Sequence, residues 1–131
     1  MWYDLLDNNI NIIKLYNKVP NLVDIKINEM NILEEGDKVR IVFDLSSYAD
    51  NPPKKWIQSE YNTTVVEIDL FEIQEINMFS MSKNIYKSDI NIWRDNDNYI
   101  NVDIKGRFNV SIKAIVGMIQ SISGYCNQCK L

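Results

Sequence analysis

Apolar and polar residues alternate along most of this chain, and that two-residue period is typical of half-buried β-strands. The clearest run extends from Val39 to Leu45, with an apolar side chain at every odd position. The run from Val65 to Ile73 is apolar on both faces, which predicts a central strand that is covered on two sides. Further strand-like runs occur at 23–32, 76–78, 85–93, 100–104 and 108–114.

Turn-forming residues separate these runs and predict two β-hairpins. Glu34-Glu35-Gly36-Asp37 directly precedes the strand that begins near Val39. In the run before this turn, the alternation changes phase near Glu29, which predicts a β-bulge. Asp95-Asn96-Asp97-Asn98 precedes the alternating run at 100–104, and it predicts the turn of the second hairpin.

The two ends of the chain depart from this alternation. Leu5, Leu6, Ile10 and Ile13 approximate helical spacing before Pro20, so residues 1–20 predict one or two short helical turns. Residues 115–125 fit either a strand or a short helix, and we favour a strand.

The elements together predict a mostly-β fold. We expect an antiparallel sandwich or a strongly curved sheet of about seven or eight strands, with a short N-terminal helical segment. The length of 131 residues is that of a single domain, so we expect one domain over 1–131 with a frayed tail at 126–131.

Composition narrows the function classes. The chain has no histidine, which removes the commonest general base and zinc ligand and excludes serine–histidine and cysteine–histidine catalysis. The net charge of −4 is spread along the chain without a basic cluster, so we expect no nucleic-acid partner. A mildly acidic surface attracts basic proteins. No apolar run approaches membrane-spanning length and the N-terminus lacks signal-peptide features, so we expect a cytoplasmic protein that makes no membrane contact.

Candidate metal and redox motifs are incomplete. Cys126 and Cys129 form half a zinc site, with neither a second cysteine pair nor a histidine to complete it, so we interpret them as free thiols. Asp95 and Asp97 resemble the start of a calcium loop, but Ile100 occupies the position that requires glycine. We therefore expect a turn with local aspartate hydrogen bonds, and no metal or cofactor.

Catalytic carboxylates are equally unsupported. Glu67, Asp69, Glu72 and Glu75 follow the spacing of polar strand positions, which favours a solvated sheet face over a catalytic pair. The four glycines do not cluster, so no phosphate-binding loop is present in the sequence. We therefore expect no enzymatic activity, and a hydrolase that uses these carboxylates is the least supported hypothesis.

The loop from Ser46 to Tyr61 is the strongest candidate binding site. Exposed aromatic side chains beside charged residues are typical of interaction hot spots, and Pro52-Pro53 stiffens the loop. The candidate partner-interface residues are Asp44, Tyr48, Asp50, Trp56, Glu60 and Tyr61. The alternative is that Trp56 folds back and covers the open end of the sheet.

The same region carries a family resemblance. The segments concerned are Pro20, Val39–Leu45, Pro52-Pro53-Lys54-Lys55-Trp56, Tyr61-Asn62-Thr63 and Val65–Ile68. Together with the isoleucine-rich hairpins, they resemble the immunity protein 50 family of bacterial polymorphic toxin systems, over roughly Trp2 to Tyr125. The resemblance implies a mostly-β cytoplasmic protein that binds and blocks a cognate toxin, without catalytic residues. It transfers no binding residue to this chain.

Two function classes therefore remain as alternatives. The first is an immunity protein that neutralises a toxin by occlusion, with acidic residues of the loop facing a basic toxin surface. The alternative is a small-molecule or carbohydrate-binding β-module, with Trp56, Trp93 and Tyr99 lining an aromatic platform.

Overall fold

The computed structural model describes residues 1–128 and confirms a mostly-β fold. The strands are β1 Lys26–Leu33, β2 Lys38–Asp44, β3 Thr63–Met81, β4 Ser88–Arg94, β5 Ile100–Gly106 and β6 Phe108–Tyr125. The α-helices are α1 Ile10–Leu15 and α2 Lys54–Gln58, and 3₁₀ turns cover Trp2–Leu5 and Glu34–Gly36. The helical turns expected near the N-terminus are thus present.

All strands of the described chain belong to one antiparallel sheet of order β1-β2-β3-β6-β5-β4. Both predicted hairpins, β1–β2 and β4–β5, are confirmed, and so is the strand at 115–125. The sheet has six strands, which is fewer than expected, because β3 and β6 run unbroken for 19 and 18 residues. The strand expected from Ile85 begins only at Ser88.

Bulges bend this sheet. The register of β1 and β2 shifts between Ile27 and Glu29, which confirms the predicted bulge. The β3–β6 pair shifts at three places, and Glu72 beside the second of them adopts a left-handed backbone with φ of 54°. Because each bulge adds local twist, the long β3–β6 pair curves instead of lying flat.

The inward face of the curved sheet holds the core. Alternate residues from β2 to β6 are buried there, among them Phe43, Ile68, Ile104 and Ile112, whereas β1 contributes half-buried side chains. The N-terminal segment covers part of this face with the buried side chains of Leu6, Ile12, Leu15, Tyr16 and Leu22. The burial of both sets explains why a short, weakly helical segment is held in place, since isolated helices of this length are marginal in water.

The two edge strands approach each other at one point. Ile25, just before β1, forms an antiparallel bridge with Ser88 at the start of β4, with two backbone hydrogen bonds of 2.9 Å. Beyond this bridge β1 pairs only with β2 among the described residues, so the sheet stays open.

The outer face carries an ion pair with a buried carboxylate, which the sequence did not reveal. Asp69 is fully buried and accepts hydrogen bonds of 2.9 and 3.2 Å from the Arg40 guanidinium. This hydrogen bond is the main reason why the pKa of Arg40 lies above its ordinary value. Asp69 is therefore the exception among the four carboxylates expected on a solvated face, since Glu67 is half-buried and Glu72 and Glu75 are exposed. Its partner Arg40 lies directly opposite it on β2.

Candidate functional site

The loop from Ser46 to Tyr61, called the aromatic loop here, connects β2 to β3 and is built around the short helix α2. Pro53 lies just before α2, where its fixed φ suits a helix start. The helix ends in a Schellman motif: the Tyr61 amide donates to the Trp56 carbonyl and the Glu60 amide to the Ile57 carbonyl. Glu60 takes the left-handed position of that motif, with φ of 57°.

Two aromatic rings fix the loop to the sheet. Trp56 is 9% exposed, and both Trp56 and Tyr61 lie over Gly124 on β6. A Cβ on Gly124 would meet ring carbons of Tyr61 and Trp56 at 2.8 and 2.9 Å. Trp56 thus folds back onto the sheet, as the alternative interpretation holds, and glycine is the residue that leaves room for both rings.

Buried polar contacts anchor the first half of the loop. The Tyr16 hydroxyl donates to the Ser47 carbonyl at 2.6 Å, and the Ala49 amide donates to the Thr64 hydroxyl oxygen at 3.0 Å. Burial raises the pKa of Tyr16 to about 12, with smaller contributions from neighbouring groups. These contacts join the loop to the N-terminal segment and to β3, so the loop is an ordered surface.

Tyr48 combines a packed ring with an unpartnered hydroxyl. Its ring centroid lies 6.1 Å from that of Trp56, in a tilted arrangement. Within the described residues its hydroxyl oxygen is buried and has no hydrogen-bond partner. Burial raises the pKa of Tyr48 above its ordinary value. The ring therefore supports the loop, whereas the hydroxyl adds no bond to the fold.

The three candidate carboxylates differ in their surroundings. Asp44 is 4% exposed and accepts hydrogen bonds from Asn28 at 2.7 Å and from the Tyr125 hydroxyl at 2.6 Å. Asp50 is exposed and accepts the Asn17 amide at 2.9 Å, and Glu60 is exposed. Asp50 and Glu60 therefore present charge to solvent, while Asp44 joins β1, β2 and β6.

The aromatic residues of the alternative platform are separated. Trp56 lies over Gly124 near the end of β6, whereas Trp93 is on β4 and Tyr99 lies under the ammonium group of Lys113 on β6. From Lys113 to Gly124 an extended strand covers roughly 35 Å. The three rings thus do not form one platform.

The remaining candidate motifs have structural explanations or lie partly outside the described residues. Asp95 accepts amide hydrogen bonds from Asp97 and Tyr99 at 2.9 and 3.0 Å, which confirms the predicted turn. The Asn101 amide group is the main reason why the pKa of Asp95 is lowered. Cys126 is a free thiol, and Cys129 lies outside the described residues, as does half of the tail expected at 126–131.

No cluster of three or more histidine, cysteine, aspartate or glutamate side chains suited to a metal ion occurs within residues 1–128. In the same range no helix is both long and apolar enough to cross a membrane.

Comparison with known protein families shows to which family this chain belongs. A family model described as Immunity protein 50 matches residues 8–125, which include α1, the aromatic loop and all six strands. This chain belongs to the Immunity protein 50 family. The resemblance identified from the sequence is thereby confirmed. No curated protein and no solved structure matches the chain.

Membership of the Immunity protein 50 family is established over the fold, and the aromatic loop lies wholly inside the matched region. The match itself does not distinguish between the loop and the rest of the surface. The six interface residues expected from the sequence therefore stay predictions. The structure divides them into exposed groups (Asp50 and Glu60), half-buried rings (Tyr48 and Tyr61) and buried supports (Asp44 and Trp56).

Proposed function

We propose that this protein is a cytoplasmic immunity protein of a bacterial polymorphic toxin system, which binds a cognate toxin and neutralises it by occlusion. The observation that carries the proposal is the family match over residues 8–125. Occlusion requires a rigid, complementary surface and no bond-breaking chemistry. The toxin is the only partner that this function needs, and no cofactor takes part.

The aromatic loop is the surface that we propose for this contact. Its hydrogen bonds to the N-terminal segment, to β3 and within α2 support the proposal, because an ordered loop loses little entropy on binding. Ile57 on α2 is 61% exposed, and the exposed side chains of the loop also include the carboxylates of Asp50 and Glu60 and the ammonium groups of Lys54 and Lys55. An exposed apolar side chain in a charged loop suits a toxin surface that has an apolar centre and a charged rim.

Each of the six predicted interface residues then has a role. Asp50, Glu60 and the exposed edges of Tyr48 and Tyr61 would contact the toxin directly. Trp56 and Asp44 would act as positioning residues, because both are buried. Alanine at Trp56 would therefore weaken toxin binding through disorder of the loop, in addition to any direct contact.

The test is co-expression with the toxic domain encoded next to this protein, followed by titration calorimetry on the purified pair. We expect this protein to protect the cells and to bind the toxin domain. Glu60→Lys is expected to weaken binding by at least about tenfold, since a charge reversal at an interface opposes complementarity. Asp97→Lys is the matched control, because Asp97 is also an exposed turn carboxylate but lies in the β4–β5 hairpin.

The experiment distinguishes failure of the proposed function from failure of the proposed interface. If wild-type protein neither protects cells nor binds the toxin domain, the proposed function is wrong. If wild-type protein protects and Glu60→Lys binds as tightly as Asp97→Lys, the function stands and the aromatic loop is not the interface.

A further inference from the structure

A second surface lies on the apolar side of the sheet and includes no residue of the aromatic loop. A cleft of about 170 Å³ lies between β1 and β2 on one side and β3 and β6 on the other. Its lining includes Met30 and Ile32 of β1, Ile76 and Met78 of β3, and Phe108 and Ile112 of β6. We call this the seam cleft.

The seam cleft is accessible. Ile32 is 53% exposed and Met78 is 64% exposed, although both point to the apolar side of the sheet. An apolar cavity of about 150 Å³ is large enough to bind benzene. The seam cleft therefore has room for one large apolar side chain, such as phenylalanine, leucine or methionine.

The free edge of β1 runs beside this cleft. Among residues 1–128, β1 pairs with β2 on one side only, and its pairing is regular from Glu29 to Leu33, after the bulge. A free strand edge offers unpaired amide and carbonyl groups to an incoming extended chain, and alternate side chains of that chain then point to one face. A strand added here would direct every second side chain toward the seam cleft.

The charged residues near the cleft indicate which kind of segment would bind there. Glu29 is the only charged residue in the lining, and the turn that follows β1 adds Glu34, Glu35 and Asp37. Arg107, next to Phe108, directs its guanidinium to the carbonyls of Ser82 and Lys83, at 3.1 and 2.7 Å. The stretch from Glu29 to Asp37 thus carries four carboxylates and no basic residue beside the docking edge, with Lys26 and Lys38 just outside it.

We propose that the seam cleft binds an extended segment of a partner protein, which pairs with Glu29–Leu33 and inserts one large apolar side chain flanked by lysine or arginine. This site goes beyond the proposed function, because it does not require the aromatic loop to contact the toxin. A second copy of this chain is a poorer occupant, because the acidic edges of two copies would face each other.

The experiment uses the full chain, immobilised, and a displayed library of random eight-residue peptides. Enriched peptides are expected to carry a phenylalanine, leucine or methionine next to lysine or arginine. The best synthetic peptide should lose at least about tenfold in affinity for Ile32→Lys and for Met78→Lys, as expected for a buried anchor. Ile10→Lys is the control, because Ile10 is similarly exposed, at 61%, but lies in α1, and this variant should bind the peptide as wild type does.

Strand addition has its own readout. Peptide binding should slow hydrogen exchange of amides within Glu29–Leu33 and should leave exchange in α2 unchanged. Circular dichroism and thermal melting of each variant establish that it folds.

Three results would overturn the proposal. They are a library without enriched apolar–basic peptides, peptides that bind Ile32→Lys and Met78→Lys as tightly as wild type, and bound peptides that leave exchange in β1 unchanged. Sedimentation that shows a wild-type dimer, dissociated by Ile32→Lys, would assign the cleft to a second copy instead.

Discussion

At the residue scale, the least usual feature of the aromatic loop is the glutamate at the left-handed position that ends α2. An L-residue there costs about 1–2 kcal/mol, whereas glycine adopts the conformation without strain and loses about 0.5–1 kcal/mol of chain entropy. Glu60, with φ of 57°, is therefore a residue that the fold alone would not favour. Its charge is the property that glycine lacks, in keeping with the proposed role at the interface.

Glu60→Gly is accordingly expected to raise the free energy of unfolding by about 0.5–1 kcal/mol. Urea denaturation measures this change. Ser59→Gly is the control, since Ser59 has a right-handed φ of −85° and glycine there should lower stability. If Glu60→Gly and Ser59→Gly change the free energy of unfolding equally, the backbone at Glu60 is not strained.

Tyr16 gives the fold a predicted response to alkaline pH. Its folded pKa of about 12 lies above the ordinary value of 10.0, because the phenolate is disfavoured by burial. The contribution of Tyr16 to stability is complete below pH 10 and is lost as the pH rises through 12. The expected loss is about 2.7 kcal/mol, from two pH units at about 1.36 kcal/mol each.

Urea denaturation at several pH values between 9 and 12 checks this expectation. The fall in the free energy of unfolding with rising pH should become smaller in Tyr16→Phe. It should be unchanged in Tyr86→Phe, because Tyr86 is 77% exposed. A wild-type slope in Tyr16→Phe would exclude Tyr16 as its origin.

At the scale of elements, alternation predicted the hairpins, the bulge near Glu29 and the mostly-β class, because each is encoded by neighbouring residues. The continuity of β3 was not predictable in the same way. Its register shifts beside Ile68, Glu75 and Ser80 change the phase of the pattern, so that one bent strand resembles several short ones.

In the candidate site, too, only the features that neighbouring residues encode could be predicted. The aromatic and proline content of the loop marked it correctly as an ordered element, but the burial of Trp56 depends on Gly124, at the other end of the chain. Likewise, the pairing of Arg40 with Asp69 requires the register between β2 and β3. The seam cleft depends on how the curved sheet brings β1 opposite the far ends of β3 and β6, and no local pattern encodes that arrangement.

The contact between the loop and β6 can be tested as a unit. Gly124→Ala places a methyl group against Trp56 and Tyr61, and overpacking of this kind costs about 1–3 kcal/mol. We expect lower stability together with a changed tryptophan fluorescence spectrum. Ser123→Ala is the control, because Ser123 is an exposed neighbour on the same strand. An unchanged spectrum in Gly124→Ala would show that the rings do not rest on this glycine.

At the scale of the whole molecule, one close approach holds the two edges of the sheet together. Gly106 pairs with Ser88, which in turn bridges to Ile25. With φ of 134°, Gly106 has a backbone conformation that side chains rarely adopt, and a Cβ would lie 2.4 Å from the Lys87 carbonyl oxygen. Any side chain here would have to push β4 away from β5 and so open the sheet.

Gly106→Ala is therefore expected to cost at least about 3 kcal/mol, from backbone strain of about 1–3 kcal/mol plus the contact with Lys87. Gly36→Ala is the matched control, because Gly36 also has a positive φ, of 93°, but nothing lies within 4 Å of its Cβ position. The difference between the two variants measures the close approach separately from backbone strain. Hydrogen exchange of the Ile25 and Ser88 amides should accelerate only in Gly106→Ala. Equal destabilisation with unchanged exchange would mean that the bridge does not depend on Gly106.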